Sequence, residues 1–227
     1  MADQVCWNEM NIDDELTLRC QDGECRGYEE GLRRTLYQWR HFPVDMVVEP
    51  FVRVAKAIEN TMFGIAIEED VAVTDATSAV VGHRYVNQFK TMDDVEKIQM
   101  PRISHDAAET QRRLTVAHEL FDGILEVRAW GGEVFVTFWD PLSMWMGVEN
   151  ALYTMIDQPE LMHRVVGRMA QGYMAMLDQL EAQGLLAGPA SLIHCTGAYT
   201  DELPAEGYDP ERPRVKDMWT AGLAQML

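Results

Sequence analysis

Between Asp157 and Pro204 the chain reads as one long amphipathic helix, a Gly-Pro break, and a short apolar run that turns polar within a few residues. Leu161, Val165, Met169, Tyr173, Met176 and Leu180 recur at three- and four-residue steps, which draws a core-facing stripe along a helix reaching to about Gln183. Gly184 and Gly188-Pro189 end it. The segment ASLIHCTGAYTDELP follows, with a predicted strand from Ser191 to Cys195 and then Thr196, Tyr199, Thr200, Asp201 and Glu202. A buried strand opening into a polar loop at its C-terminal end is how α/β barrels and open α/β sheets present chemistry. An earlier strand, FVTFWD from Phe135 to Asp140, ends the same way. Two such units in succession point to the α/β class with a largely parallel sheet.

Other stretches fit that class. YEEGLRRTLYQWR (28–40) predicts a helix with Leu32, Leu36 and Trp39 on one side. VDMVVEPF (44–51) predicts a buried strand with Glu49 near its C-terminal end. Alternating segments in 65–87 predict an antiparallel hairpin inserted into the main fold. Thr91 with Asp94 three residues on is a capping box. A helix is expected from His105 to Phe121, with Leu114, Ala117, His118 and Phe121 on one face, and strands at 124–129 and 134–138. Asp140-Pro141 then suits a helix start, Asp as the cap and Pro as the first helical residue. Residues 216–227 read as a last helix. The whole chain, 1–227, is expected to be one domain.

Bulk properties exclude several function classes. A net charge of −18 argues against a phosphate-contacting nucleic-acid surface. No run approaches the roughly 18 apolar residues that span a bilayer. The start, MADQVCWNEM, lacks a basic region followed by an apolar core, so a cytoplasmic location is the expectation. Four cysteines are too few for a disulfide scaffold, and CQDGEC (Cys20, Cys25) is not a zinc-knuckle spacing. No dinucleotide loop, P-loop or GxSxG elbow occurs.

Candidate chemistry gathers at the predicted strand ends. Tyr199 and Asp201 are the catalytic candidates. An Asp at a barrel mouth holds a substrate cation, orients a water or moves a proton; the alternative is a cap on the turn at Leu203-Pro204. His194 and Cys195 are adjacent strand residues and point to opposite faces, which disfavours a shared metal ion and leaves His194 a pocket or core residue. Trp139 and Asp140 line the pocket or open a helix. Glu49 with Arg53 is a substrate contact or a structural ion pair. Trp7, Asn8 and Glu9 form a polar-aromatic group. His41, His83, His105, His118 and His163 lack partners at ligand spacing, and no metal ligand is assigned within the chain.

The last third, ENALYTMIDQPELMHRVVGRMAQGYMAMLDQLEAQGLL with HCTGAYTDELP and VKDMWTAGLAQ, resembles the uroporphyrinogen decarboxylase superfamily. MVVEPFVRVAKAIENTMFGI (46–65) and CWNEMNIDDELTLRC are also similar to it. The branch most similar is the anaerobic-bacterial one allied with corrinoid-dependent methyltransferases, because the RQAGRY-like motif of the decarboxylases is absent. The resemblance implies a TIM (β/α)8 barrel, incomplete in this chain, which offers about four barrel-type strands where eight are needed. It implies corrinoid-linked methyl transfer to or from a small molecule, with zinc and a corrinoid as cofactors and a corrinoid protein as a partner. The zinc ligands are expected beyond Leu227. The resemblance places Tyr199, Asp201, His194, Asp140 and Glu49 along the pocket, and Trp7, Asn8 and Glu9 near its mouth. A tetrapyrrole carboxy-lyase and a non-catalytic corrinoid or tetrapyrrole-binding protein are the alternatives. An open part-barrel exposes an unpaired edge and an apolar interior, so the chain is expected to be either a homo-oligomer or poorly soluble.

Overall fold

Asp22 decides where the first helix begins. Its carboxylate accepts from the backbone N–H groups of Glu24 and Cys25, two of the donors a helix leaves unpaired at its start. The computed structural model describes residues 5–42, 46–73, 81–133, 135–188, 192–193, 196–197, 202–218 and 222–223. In chain order the elements are α1 (Gly23–His41), β1 (Phe51–Ala55), β2 (Ile58–Asn60), β3 (Glu69–Ala72), β4 (Gly82–Tyr85), β5 (Ile103–His105) and α2 (Ala107–Phe121). Then come β6 (Glu126–Trp130), β7 (Val136–Thr137), α3 (Trp139–Met146), α4 (Val148–Asp157), α5 (Pro159–Ala182), β8 (Leu192–Ile193), β9 (Thr196–Gly197) and β10 (Gly222–Leu223).

The fold is mixed α/β. Strand β1 runs parallel to β6, and β10 parallel to β7. Pairs β2–β5, β3–β4 and β8–β9 are antiparallel. Among the described residues each sheet has two strands and none closes. The β1–α2–β6 unit follows from alternation: Val52, Val54 and Val127 point to one face, where Val54 packs with Ala117 and Phe121 of α2. Asp106 caps α2 through the Glu109 N–H. The expected hairpin in 65–87 is β3–β4, with Glu69 opposite Tyr85. The capping box at Thr91 and Asp94 opens a 3-10 turn, Met92–Lys97.

Helix α5 carries the core. All six stripe residues named from the sequence are buried, with Val165 and Met169 at 0% exposure. Burying each such side chain contributes about 1.5–3 kcal/mol. Phe63 sits at the centre, edge-on to Trp145 and Tyr173 with ring centroids 5.6 and 5.1 Å away. Two amides tie α5 to β5. Gln179 Nε2 donates to Pro101 O, its Oε1 accepts from Ile103 N–H, and Gln183 Nε2 donates to Ile103 O. Gly184, at φ +65°, ends the helix so that the Leu185 N–H returns to Leu180 O.

Several expectations are corrected. Leu32, Leu36 and Trp39 of α1 face solvent at 40–62% exposure, because the residue that α1 buries is Tyr37, beside Trp7, His41 and Phe42. The first strand starts at Phe51, not before it, since Pro50 has no N–H for the ladder; its carbonyl accepts from Glu126 N–H instead. Glu49 therefore precedes the strand's N-terminal end. His105 belongs to β5, and His118 is exposed. Asp140 is not a cap: α3 begins at Trp139 with Phe138 before it. Pro159 does take the first helical position, splitting α4 from α5. Of the predicted strand 191–195 the described residues Leu192–Ile193 form β8, which pairs antiparallel with β9 rather than as a parallel stave. Where a final helix was expected, Val215–Asp217 is a 3-10 turn and Gly222–Leu223 is strand. Arg214 holds the buried Asp217 carboxylate across that turn, which closes it tightly.

Before α1 the chain is tied to the helix in part by the Glu29 carboxylate. Glu29 accepts from the backbone N–H groups of Arg19 and Cys20 and from Arg33 Nε. These bonds, the Cys20 N–H foremost, hold its pKa at about 2 against an ordinary 4.5. A depressed folded value stabilises the tie above the unfolded value and loses it as pH falls through the folded one. The Arg19 and Cys20 amide resonances should therefore titrate with a midpoint near 2. In Glu29→Gln that transition should be absent.

Candidate functional site

The β1–β6 pair has a helix on one face and a charged ladder on the other. Register sets Phe51 beside Glu126, Arg53 beside Arg128 and Ala55 beside Trp130. Strand alternation puts these six on the face away from α2. The Arg53 guanidinium lies 4.1 Å from the Trp130 ring centroid and 5.6 Å from that of Phe51. Arg128 lies 3.9 Å from the Phe51 centroid. Cation–π stacking of this kind fixes a guanidinium plane while leaving its N–H edge free to bond. Glu49 takes one edge of Arg53 at 2.6 Å, four residues before it in the chain. Glu126 takes Arg128 with two bonds of 2.7 Å, which lowers the Glu126 pKa and raises that of Arg128. Trp130 Nε1 donates to Glu133 at 2.9 Å. Both arginines are about 45% exposed, so an anion can exchange with these carboxylates.

A second group lies at the C-terminal end of β7. Thr137 closes the strand, and Trp139 and Asp140 open α3 directly after it. The Thr137 hydroxyl is buried and has no hydrogen-bond partner among the described residues. Its carbonyl accepts from the Tyr173 hydroxyl. Burial, partly offset by that bond, raises the Tyr173 pKa, with a smaller contribution from the Asp140 charge. A buried hydroxyl without a partner among the described residues, three positions before the half-buried Asp140, can accept from or donate to a water or a polar ligand atom.

The remaining predicted residues fall elsewhere. Trp7 is in the 3-10 turn Trp7–Glu9, edge-on to Tyr37, with Arg34 5.1 Å over its ring. Asn8 lies in that turn, and Glu9 is exposed. No hydrogen bond or ion pair joins these residues to Glu49–Arg53 or to Asp140 among the described residues. Tyr199, Asp201, His194 and Cys195 lie outside the described residues.

Sequence reasoning passed over Phe51, Arg128, Trp130 and Thr137. The signal for two of them was the alternation in EVRAW (126–130), which puts Arg128 and Trp130 on one face. A cleft of about 610 Å³ was also missed, between β4 and the α3–α4 junction, lined among others by Asp70, His83, Tyr85, Val148 and Glu149. There His83 Nδ1 lies 2.8 Å from Glu69, and its ring stacks on Tyr85 at 5.7 Å.

Among the described residues no group of three or more His, Cys, Asp or Glu is placed to hold a metal ion. Among them, too, no helix is long and apolar enough to cross a membrane. No protein-family model matches the chain, and no curated protein or solved structure matches it either.

Proposed function

We propose that this chain belongs to a uroporphyrinogen decarboxylase-like methyltransferase and takes part in corrinoid-linked methyl transfer to or from a small molecule. The observation that carries this reading is the end of β7. A parallel strand ends in a Thr137 hydroxyl that has no partner among the described residues, with Trp139 and Asp140 following at once, at the end of the strand that barrel enzymes use. The sequence resemblance supplies the reaction class. In this reading Asp140 and Thr137 bind and orient the polar part of the substrate, Trp139 covers it, and Tyr199 and Asp201 complete the pocket. A corrinoid protein is the proposed partner; no step is assigned to zinc.

Arg53 and Arg128, side by side on aromatic rings, favour a second reading, a carboxy-lyase acting on a polycarboxylate. One experiment separates the two. The protein is incubated with methylcobalamin and a thiol, with and without added zinc, and in parallel with uroporphyrinogen. Methyl transfer should appear as loss of the methyl–cobalt absorbance, and Asp140→Asn should lower its kcat/KM about 10- to 100-fold. Carbon dioxide release from uroporphyrinogen, abolished by Arg128→Ala, would establish the second reading and overturn the first. Neither reaction under either condition would overturn both.

A further inference from the structure

Helix α4 shows most of its apolar side chains to solvent. It buries Ala151 and Thr154 and leaves Val148, Leu152, Tyr153, Met155 and Ile156 exposed, Ile156 at 78%. At 3.6 residues per turn these five side chains cover an arc of about 160°, the width a helix normally gives to a core. The inward face carries only the small side chains Ala151 and Thr154; Thr154 Oγ1 donates back to Asn150 O at 2.7 Å, and Asn150, itself exposed, donates Nδ2 to Met146 O. The arc runs into the cleft beside β4, since Val148 and Glu149 line both.

Charge says what covers this face. From Trp139 to Met162 the sequence holds no Lys, Arg or His, while Glu149, Asp157 and Glu160 fall on or beside α4. Among the described residues none of these three carboxylates makes an ion pair or a side-chain hydrogen bond. Four other glutamates, Glu24, Glu29, Glu109 and Glu126, each hold an arginine. Uncompensated negative charge thus lies at both ends of the helix, Glu149 within its first turn, Asp157 as its last residue and Glu160 just past it. A second copy of the chain meets it badly, because a two-fold contact sets α4 against α4, with carboxylates on both sides and no cation to answer them. The net charge of −18 on each copy adds to that repulsion.

We infer that α4 is the docking surface for an amphipathic helix of a partner protein, apolar on one face and flanked by Lys or Arg. The partner helix lies along α4 for about 15 Å, its apolar residues on Leu152, Met155 and Ile156. Its flanking cations meet Glu149 and Asp157 and steer the encounter.

The test uses the full chain and three labelled peptides, read by fluorescence anisotropy. The first is an 18-residue Leu/Lys helix with its leucines on one face. The second has the same composition scrambled so that the face is lost. The third keeps the face but has Glu in place of Lys. The striped Leu/Lys peptide should bind at least tenfold tighter than the other two. Leu152→Gln with Ile156→Gln should weaken it at least tenfold without moving the unfolding midpoint, because both side chains are exposed. Glu149→Lys with Asp157→Lys should switch the preference to the Leu/Glu peptide. Equal affinity for striped and scrambled peptides, or unchanged affinity in the double Gln variant, overturns the inference. A dimer in sedimentation that the double Gln variant dissociates also overturns it, because a second copy then occupies α4.

Discussion

Phe63→Ala should cost about 3–5 kcal/mol and lower the melting temperature by about 10 °C. Phe63 is 2% exposed and stands outside any regular element, yet two helices close around it. Trp145 comes from α3 and Tyr173 from α5, each meeting the ring edge-on. Met169 and Met176 belong to the same buried cluster. Removing the ring forfeits its transfer free energy and leaves a void that α5 cannot fill without pulling away from β5. Phe63→Leu keeps most of the volume and should cost about 1.5 kcal/mol or less. Urea unfolding of both variants checks this: the midpoint should shift while the slope stays constant. A loss below about 1 kcal/mol for Phe63→Ala would mean that the ring is not the keystone of this core.

The second large effect is expected at Gly131. A Cβ there would stand 2.3 Å from the carbonyl oxygens of Leu185 and Leu186. Those are backbone atoms with no rotamer to escape into. The same crossing holds two hydrogen bonds, Gly132 N–H to Leu185 O at 2.7 Å and Ala187 N–H to Gly132 O at 3.0 Å. Gly131→Ala must part the strands and lose both, which sets its cost at about 3 kcal/mol or more. The control is Gly167→Ala, on an open face of α5 where a Cβ meets nothing within 4 Å. There the same change should stabilise by about 0.5–1 kcal/mol, through helix propensity. Opposite signs from one chemical change, measured by calorimetry, would show that the crossing at 131–132 and 185–187 is a structural joint.

What the sequence disclosed depended on how local the physics was. The α5 stripe was legible because a period of 3.6 over six buried positions has one structural meaning. The β3–β4 hairpin and the Thr91–Asp94 box were legible because each is settled within about 20 residues. The direction of an amphipathic face was not. YEEGLRRTLYQWR and ENALYTMID carry helical periodicity, but periodicity does not name the partner, and both helices show apolar residues to solvent. The stack of Arg128 on Phe51 depends on the register of two strands 75 positions apart (126 against 51), which no short window contains. Glu49 and Arg53 were paired correctly, since four residues is local, but Pro50 put them at the start of the strand rather than its end. At the candidate site Asp140 was found from the strand ending. Thr137 was not, because an unpartnered hydroxyl is a property of the packed interior.

Gln179 in the last turn of α5 and Gln183 just past it have a consequence for strand alignment. Most sheets fix their register through neighbouring strands, but β5 has one described partner strand, β2, of three residues. Gln179 gives a proton to Pro101 O and takes one from Ile103 N–H, and Gln183 reaches Ile103 O one turn further along. A slip of β5 by a single residue would strand all three of these bonds at once. The helix thus works as a toothed rack for the strand, and the alignment of β2 against β5 is dictated from the side, by amides, rather than from within the sheet.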